Sequence, residues 1–241
     1  VVLAAARMKN LDDGQQATRN AIMAFDTHGI LAVEYFAATF IRESGANRRD
    51  HTSRYFPESS TVSRDGRDWI PKSRNDSRIE VYPPDGELER TILRDYEPYR
   101  RTDQEMERVR TWLTPNRSSS LGRMEVVVDP DEPDIQQLHV DDSGRLWVLS
   151  SRGARPGKEG VHSIWDVFDP EGRLIQEVAV ECEGSAVEDR LLFVGRGLVV
   201  VIKEYSDAVR TLGGHKMGES GEGEEASPLE VICYRQPPQT E

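Results

Sequence analysis

Two hairpin sequences recur along the chain, and this internal repetition restricts the fold more than any other feature. Residues 81–92, Val-Tyr-Pro-Pro-Asp-Gly-Glu-Leu-Glu-Arg-Thr-Ile, align without gaps with residues 167–178, Val-Phe-Asp-Pro-Glu-Gly-Arg-Leu-Ile-Gln-Glu-Val. Each segment combines an apolar strand end, a turn that closes on glycine and a second strand, which is the signature of a β-hairpin. A looser copy covers residues 39–45.

A second hairpin sequence alternates with the first. Residues 62–70, Val-Ser-Arg-Asp-Gly-Arg-Asp-Trp-Ile, align with residues 140–148, Val-Asp-Asp-Ser-Gly-Arg-Leu-Trp-Val. Residues 25–33 fit the same frame, and residues 193–200 are a degenerate copy. The turn glycines follow in the order Gly29, Gly45, Gly66, Gly86, Gly144, Gly172 and Gly197. This alternation predicts four strands per repeat, with one hairpin type joining strands one and two and the other joining strands three and four.

Repeats of about 40–45 residues with four short strands each are typical of a β-propeller. The repeats cover about residues 20–57, 58–95, 134–183 and 187–236. We therefore predict an all-β fold in which residues 1–241 form a single, N-terminally incomplete propeller domain of about four antiparallel, four-stranded blades. The fourth repeat shows only three strands, so either Val1–Met8 supplies its fourth strand or the chain is a piece of a longer one.

The spacer between the second and third repeats, about residues 96–124, is longer than the others and is interpreted as one short helical insertion. Thr102 and Glu105 form a capping box, which predicts a helix over residues 102–113. Its apolar residues at helical spacing are Met106, Val109 and Leu113. This helix is either a cover for apolar surface or part of a binding face.

Two long loops occupy equivalent places, between the second and third strands of a repeat. They are Ser151–His162 in the third repeat and a low-complexity segment at about residues 207–228 in the fourth. Because each strand crosses the sheet once, successive connections alternate between its two ends. The glycine turns should therefore share one face of the disc, and the helix and long loops the other. Binding sites favour loops on a rigid scaffold, so we expect a partner at the long-loop face.

The charge of the chain excludes one class of partner. Lys and Arg number 31 against 43 Asp and Glu, which gives a net charge of −12, and all of this excess lies after residue 120. Binding to nucleic acid depends on basic residues that neutralise phosphates, so we predict no nucleic-acid partner. The acidic run at residues 129–134 could attract a cationic partner or Ca²⁺, although it lacks the EF-hand spacing.

Several other classes lack their sequence signals. Apolar runs such as Leu198–Ile202 are far shorter than the roughly 18 residues of a membrane-spanning helix, so we predict no transmembrane segment. The chain has no complete dinucleotide fingerprint, phosphate loop or nucleophile elbow, and its histidines are not at metal-ligand spacing. An enzyme stays possible because a propeller can gather one ligand from each blade. No cofactor is indicated.

Five residues are candidates for binding. Gln137 and His139 interrupt an apolar strand predicted to be the innermost of its repeat, so they either face the central channel or, for His139, make a hydrogen-bonded contact between blades. Arg152, His162 and Trp165 lie in or beside the loop at 151–162 and are the first candidates for partner contact.

Two further pairs are interpreted structurally. Trp69 and Trp147 occupy equivalent positions in two repeats, which favours a role in blade packing over ligand stacking. Cys182 and Cys233 fall on predicted strands, and we expect two buried free thiols rather than a disulfide.

The sequence resembles a known family at the positions of both hairpin types. Residues 77–90, residues 94–98 with the helix beginning at Thr102, residues 140–148 and residues 165–174 resemble bacterial six-bladed β-propeller proteins related to NHL-repeat and TolB-like propellers. The likeness covers about residues 60–205. It implies a six-bladed ring to which this chain contributes about four blades, and an extracytoplasmic, periplasmic or secreted, often lipid-anchored protein. The matching motifs are structural and carry no catalytic residue.

Two functions follow as hypotheses. The first is a non-catalytic binding or scaffolding module whose partner, a protein, a small molecule or a carbohydrate, meets the long-loop face. The alternative is a metal-dependent lactonase-like or lyase-like enzyme whose ligands converge in the central channel. Three or more carboxylate, amide or imidazole groups converging there would favour the enzyme.

Overall fold

A computed structural model describes residues 2–11, 15–42, 48–50, 57, 59–114, 125–195, 197–212 and 229–235. The described residues form two compact units, the first extending to Leu138 and the second beginning at His139. Strand is the dominant regular structure, as predicted, and it is organised into four antiparallel sheets of three or four strands.

The four sheets follow the chain in order. Sheet one contains β1 (Val2–Asn10), β2 (Gln16–Phe25) and β3 (Leu31–Arg42). Sheet two contains β5 (Thr61–Val62), β6 (Asp68–Pro71), β7 (Arg78–Tyr82) and β8 (Arg90–Leu93). Sheet three contains β10 (Ile135–Val140), β11 (Leu146–Ser150), β12 (Val161–Phe168) and β13 (Leu174–Glu181). Sheet four contains β14 (Arg190–Gly195), β15 (Leu198–Ile202) and β16 (Val231–Arg235).

The remaining strands and helices are not part of these four sheets. Strands β4 (Arg48–Asp50) and β9 (Glu125–Val127) form a short parallel pair. The helices are α1 (Asp103–Leu113) and α2 (Tyr205–Leu212).

Four of the predicted hairpin turns share one geometry, which fits the repetition seen in the sequence. In each of four turns, two backbone hydrogen bonds involve the residue that stands three positions before the glycine. Its N–H donates to the carbonyl of the residue that follows the glycine, and its carbonyl accepts the N–H of the glycine. These turns are centred on Gly29, Gly66, Gly144 and Gly172. All four glycines have φ between 77° and 86°, a region that L side chains avoid. The hairpin predicted at Gly45 lies outside the described residues.

The second, third and fourth repeats match the prediction, and the first does not. Sheets two and three each have four strands and sheet four has three. Sheet one instead consists of three long strands, in which β1 pairs with β2 from Val2↔Ala24 to Asn10↔Gln16. Of the two alternatives considered for the fourth repeat, its completion by the N-terminal segment is therefore wrong, because that segment pairs with the strand next to it in sequence.

The first helix is confirmed and the second was not predicted. Thr102 caps α1, accepting the N–H of Glu105 while the Glu105 carboxylate accepts the N–H of Thr102. Helix α2 begins at Tyr205, where the sequence suggests the end of a strand and then a low-complexity loop. Its apolar residues recur at helical spacing, but the segment is too short for that pattern to compete with the preceding β-branched run. Residues 213–228 lie outside the described part of the chain.

Consecutive sheets pack face to face within each unit. In the first unit Ile22 and Tyr35 of sheet one pack against Ile70 and Tyr82 of sheet two. In the second unit the core joins buried residues of sheets three and four. Its members are Trp147, Leu149, Ala154, Trp165, Val167, Leu191, Val199 and Val201. The predicted packing roles of Trp69 and Trp147 are confirmed, since they are 3% and 5% exposed.

Because successive strands run in opposite directions, their connections alternate between two ends of the second unit. One end carries the glycine turns at Gly144 and Gly172 and the turn between β14 and β15, and we call it the short-turn end. The other carries the loop at 151–160, the connection at 182–189 and helix α2, and we call it the long-loop end. Contacts of Asp189 with His162 and Lys203 bring the long connections together, as the meander predicts.

Candidate functional site

A recess of about 250 Å³ opens at the short-turn end of the second unit. We call it the turn recess. One wall is formed by residues 139–143 with Arg145 and Trp147, at the turn between β10 and β11. The other is formed by Phe193, Gly195, Gly197 and Leu198, at the turn between β14 and β15. The recess therefore lies between neighbouring sheets, at the end opposite to the long-loop face where the sequence places a partner.

Asp141 organises the first wall. Its Oδ1 accepts the backbone N–H of Ser143 at 2.9 Å and of Arg145 at 3.0 Å, and also the Ser143 hydroxyl at 2.7 Å. Its Oδ2 accepts Nε of Arg145 at 2.8 Å and Nε1 of Trp147 at 3.0 Å. Burial alone would raise the pKa of Asp141, but these donors together hold it below its ordinary value. The carboxylate is thus ionised, and both of its oxygens accept hydrogen bonds.

An aromatic stack joins the two walls. The His139 ring lies parallel to the Phe193 ring, with centroids 4.4 Å apart and planes at 12°. Trp147 and Trp165 contact the same phenyl ring at centroid distances of 5.4 and 5.1 Å. Burial lowers the pKa of His139, with Asp141 and Asp142 opposing it, so the imidazole is neutral at pH 7. This is a contact between sheets, made by stacking rather than by the hydrogen bond considered from sequence.

The other sequence candidates are distributed over both ends of the unit. Gln137 is half-buried on β10, and Arg152 is exposed at the long-loop end. Trp165 is fully buried in the core, where its Nε1 donates to the Ser163 hydroxyl at 2.9 Å. A partner therefore has no direct access to Trp165, because nearly every residue of β12 is buried. Of the five candidates, only His139 lines the turn recess.

His162 belongs to a buried polar node at the long-loop end. It is 1% exposed, and its Nε2 lies 3.7 Å from the Asp189 carboxylate. Lys203 Nζ contacts the same carboxylate at 2.7 Å, and the N–H of Glu204 donates to it at 2.9 Å. Burial lowers the pKa of His162 and keeps it neutral. The node ties three connections together, which is a structural task, and it leaves His162 out of reach of a partner.

Two arginines of the chain pair with part of the acidic run at residues 129–134. Arg74 Nε donates to the Asp129 carboxylate at 2.7 Å. Arg101, whose side chain is 5% exposed, donates to the Asp129 carbonyl at 2.7 Å and lies 3.6 Å from the Glu132 carboxylate. The chain's own arginines thus occupy the carboxylates of Asp129 and Glu132. Within the described ranges, no group of three or more His, Cys, Asp or Glu is placed to hold a metal ion.

The two cysteines are free, as predicted, but neither is fully buried as expected. Cys182 is half-buried beside the core of the second unit, and Cys233 is exposed on β16. Strand β16 alternates between exposed and half-buried residues because only one of its faces packs on the core.

Sequence reasoning misses Asp141, Asp142 and Phe193 as parts of a site. The signal for Asp141 exists in the repeat, since Asp26 holds the same turn position and its Oδ1 likewise accepts two backbone N–H groups, at 2.8 Å each. Nothing in the sequence brings Phe193 to this turn, because the two walls are about fifty residues apart in the chain.

Comparison with known proteins adds no relative. The sequence matches no protein-family model, and no curated protein matches it significantly. No helix in the described part of the chain is long and apolar enough to cross a membrane.

Proposed function

We propose that the chain is a non-catalytic binding module of the β-propeller type and that the turn recess is its ligand site. The shared turn geometry and the face-to-face packing of consecutive sheets in each unit support the propeller. The resemblance to bacterial six-bladed propellers supports the same architecture and extends the proposal to an extracytoplasmic location. The recess replaces the long-loop face as the proposed place of binding.

The observation that carries the binding proposal is that both carboxylate oxygens of Asp141 accept hydrogen bonds from its own turn. Five donors hydrogen-bond to its carboxylate, so both oxygens are engaged in holding the turn rather than directed at a substrate. What it does instead is fix Ser143, Arg145 and Trp147 in place. A preformed wall loses little conformational entropy when a ligand arrives, which is what a recognition site requires.

The enzymatic alternative lacks a comparable observation. It calls for three or more metal-ligating groups that converge, and the part of the chain that the structure describes contains no such group. Among the described residues of the recess wall, His139 is the one imidazole, and its ring is held against Phe193.

Amide NMR tests the proposal directly. A labelled sample is titrated with a panel of small molecules that includes neutral sugars, amines, guanidines and dicarboxylates. We expect at least one class to shift the amide signals of Ser143, Gly195 and Gly197, which line the recess, while those of Gly86 and Gly172 stay fixed. Shifts confined to Gly157 and Gly160 would instead place binding at the long-loop end.

A parallel assay addresses catalysis. The chain is incubated with an aliphatic lactone and with p-nitrophenyl acetate, with and without added Ca²⁺ or Zn²⁺. The binding proposal predicts no turnover above the rate with His139→Ala. Hydrolysis that requires the metal and is lost in that variant would overturn the non-catalytic assignment.

A further inference from the structure

The chemistry of the turn recess points to one class of ligand. We propose that the recess binds a neutral, polyhydroxylated ring, that is, a single pyranose unit of a carbohydrate. This inference rests on the proposed function, since it names the ligand of the same site.

The size of the recess restricts the ligand first. Its volume of about 250 Å³ is below the roughly 300–1,000 Å³ of pockets for drug-sized molecules. A dinucleotide or a long peptide segment would not be enclosed. One six-membered ring with its substituents is a suitable occupant.

The two kinds of surface in the recess match the two kinds of surface on a pyranose. His139, Phe193 and Leu198 line the recess as an apolar patch, against which the C–H face of a sugar can pack. Polar groups lie on the adjoining turn. The Asp142 side chain is exposed, and the Ser143 hydroxyl donates to Asp141 and so keeps an acceptor lone pair. Sugar hydroxyls can donate to both.

The charge on the described wall favours a neutral ligand. Arg145 and Asp141 form an ion pair at 2.8 Å and cancel each other. The carboxylate of Asp142 remains, and it would repel an anion. Because Asp142 is exposed to water, it attracts a cation only weakly. Among the described lining residues, hydrogen bonds and contact with the apolar patch are therefore left to select the ligand.

Backbone shape supports a close approach from the second wall. Gly195 has φ of +79°, and a Cβ built on it would meet no atom within 4 Å apart from those of its two chain neighbours. The position therefore leaves open space beside the apolar patch, where a substituent of the ring can lie.

The test uses saturation-transfer NMR and amide titrations on the whole chain. The probes are the methyl pyranosides of glucose, galactose and mannose, with agmatine and glutarate as ionic controls. We expect one pyranoside to bind with millimolar affinity, as befits a ligand of about a dozen heavy atoms. A trisaccharide ending in that sugar distinguishes a free sugar from a glycan terminus, since equal affinity would mean that the recess takes one terminal ring from either source.

Variants at Asp142 separate a sugar from a cation. Asp142→Ala removes the hydrogen-bonding group and should weaken pyranoside binding at least fivefold. Asp142→Asn keeps an acceptor and removes the charge, so it should change pyranoside binding by less than about twofold, whereas a cation would lose its partner. Glu171→Gln, at the neighbouring glycine turn, is the matched control and should bind like the parent chain.

Three results are distinguishable. Pyranoside binding that follows this pattern supports the inference. Binding of agmatine or glutarate at the recess glycines without any pyranoside would overturn the carbohydrate inference and leave the binding site standing. No shift at the recess with any probe would count against both proposals.

Discussion

A single substitution between repeats offers a sharp test of the packing. Trp69 and Trp147 occupy the same place in repeats two and three, and both are buried. Asp141 accepts the Nε1–H of Trp147 at 3.0 Å, but the equivalent residue in repeat two is Ser63, and Nε1 of Trp69 is buried without a partner. Replacing Ser63 with Asp should supply the missing acceptor.

The expected gain follows from the cost of an unsatisfied donor. Leaving a buried N–H unpaired costs about 1–3 kcal/mol. Ser63→Asp also places a second carboxylate beside Asp65, and Arg67, which already pairs with Asp65 and Glu89, compensates only in part. We therefore expect a net stabilisation of about 1 kcal/mol, or a rise in Tm of about 3 °C for a unit of this size.

The reverse exchange should cost more. Asp141→Ser leaves Nε1 of Trp147 unpaired and removes the ion pair with Arg145, so we expect a loss of about 2–3 kcal/mol. Urea unfolding followed by tryptophan fluorescence measures both changes, and the indole N–H resonance of Trp69 should move downfield in the Ser63→Asp chain. Ser63→Asn supplies an acceptor without charge and controls for repulsion. If neither Ser63 variant stabilises the chain and Asp141→Ser is neutral, the proposed equivalence of the turns is wrong.

Three further predictions concern stability. Burial raises the pKa of Asp68 from 3.8 to about 6, so its contribution to stability is complete below about pH 4 and is lost as the pH rises through 6. The free energy of unfolding of Asp68→Asn should therefore equal that of the parent near pH 4 and exceed it above pH 6 by at most about 3 kcal/mol. Urea unfolding from pH 4 to 8 measures the difference, and an equal effect at both ends of this range would refute the assignment. The pKa of Asp189 is shifted in the opposite direction. Burial would raise it, but the hydrogen bonds from Lys203 and two backbone N–H groups hold it below its ordinary value. Asp189→Asn should accordingly cost about 3 kcal/mol at pH 7 and progressively less as acid protonates the parent carboxylate, and a cost independent of pH would contradict this cause. Gly86→Ala should destabilise the chain by about 1–3 kcal/mol more than Gly29→Ala, because both glycines have positive φ but only the Cβ at residue 86 would collide with Val33; equal losses in thermal melts would show that the collision is relieved.

Local sequence determined the hairpins and the first helix. The turns at Gly66, Gly144 and Gly172 could be placed because glycine at positive φ and polar residues beside it form a reversal with only neighbouring atoms involved. The capping box at Thr102 is likewise complete within four residues. The repetition of these signals was enough to predict antiparallel strands in three of the four sheets.

Tertiary structure decided everything that depends on distant partners. Strand β1 joins β2 rather than sheet four, since pairing with an adjacent segment closes a shorter loop and costs less entropy. Trp165 and Arg152 flank one loop in sequence, but the packing of sheet three on sheet four buries the first and exposes the second. The turn recess exists because the same packing brings Phe193 against His139, and a contact between two sheets leaves no spacing in the sequence from which it could be read.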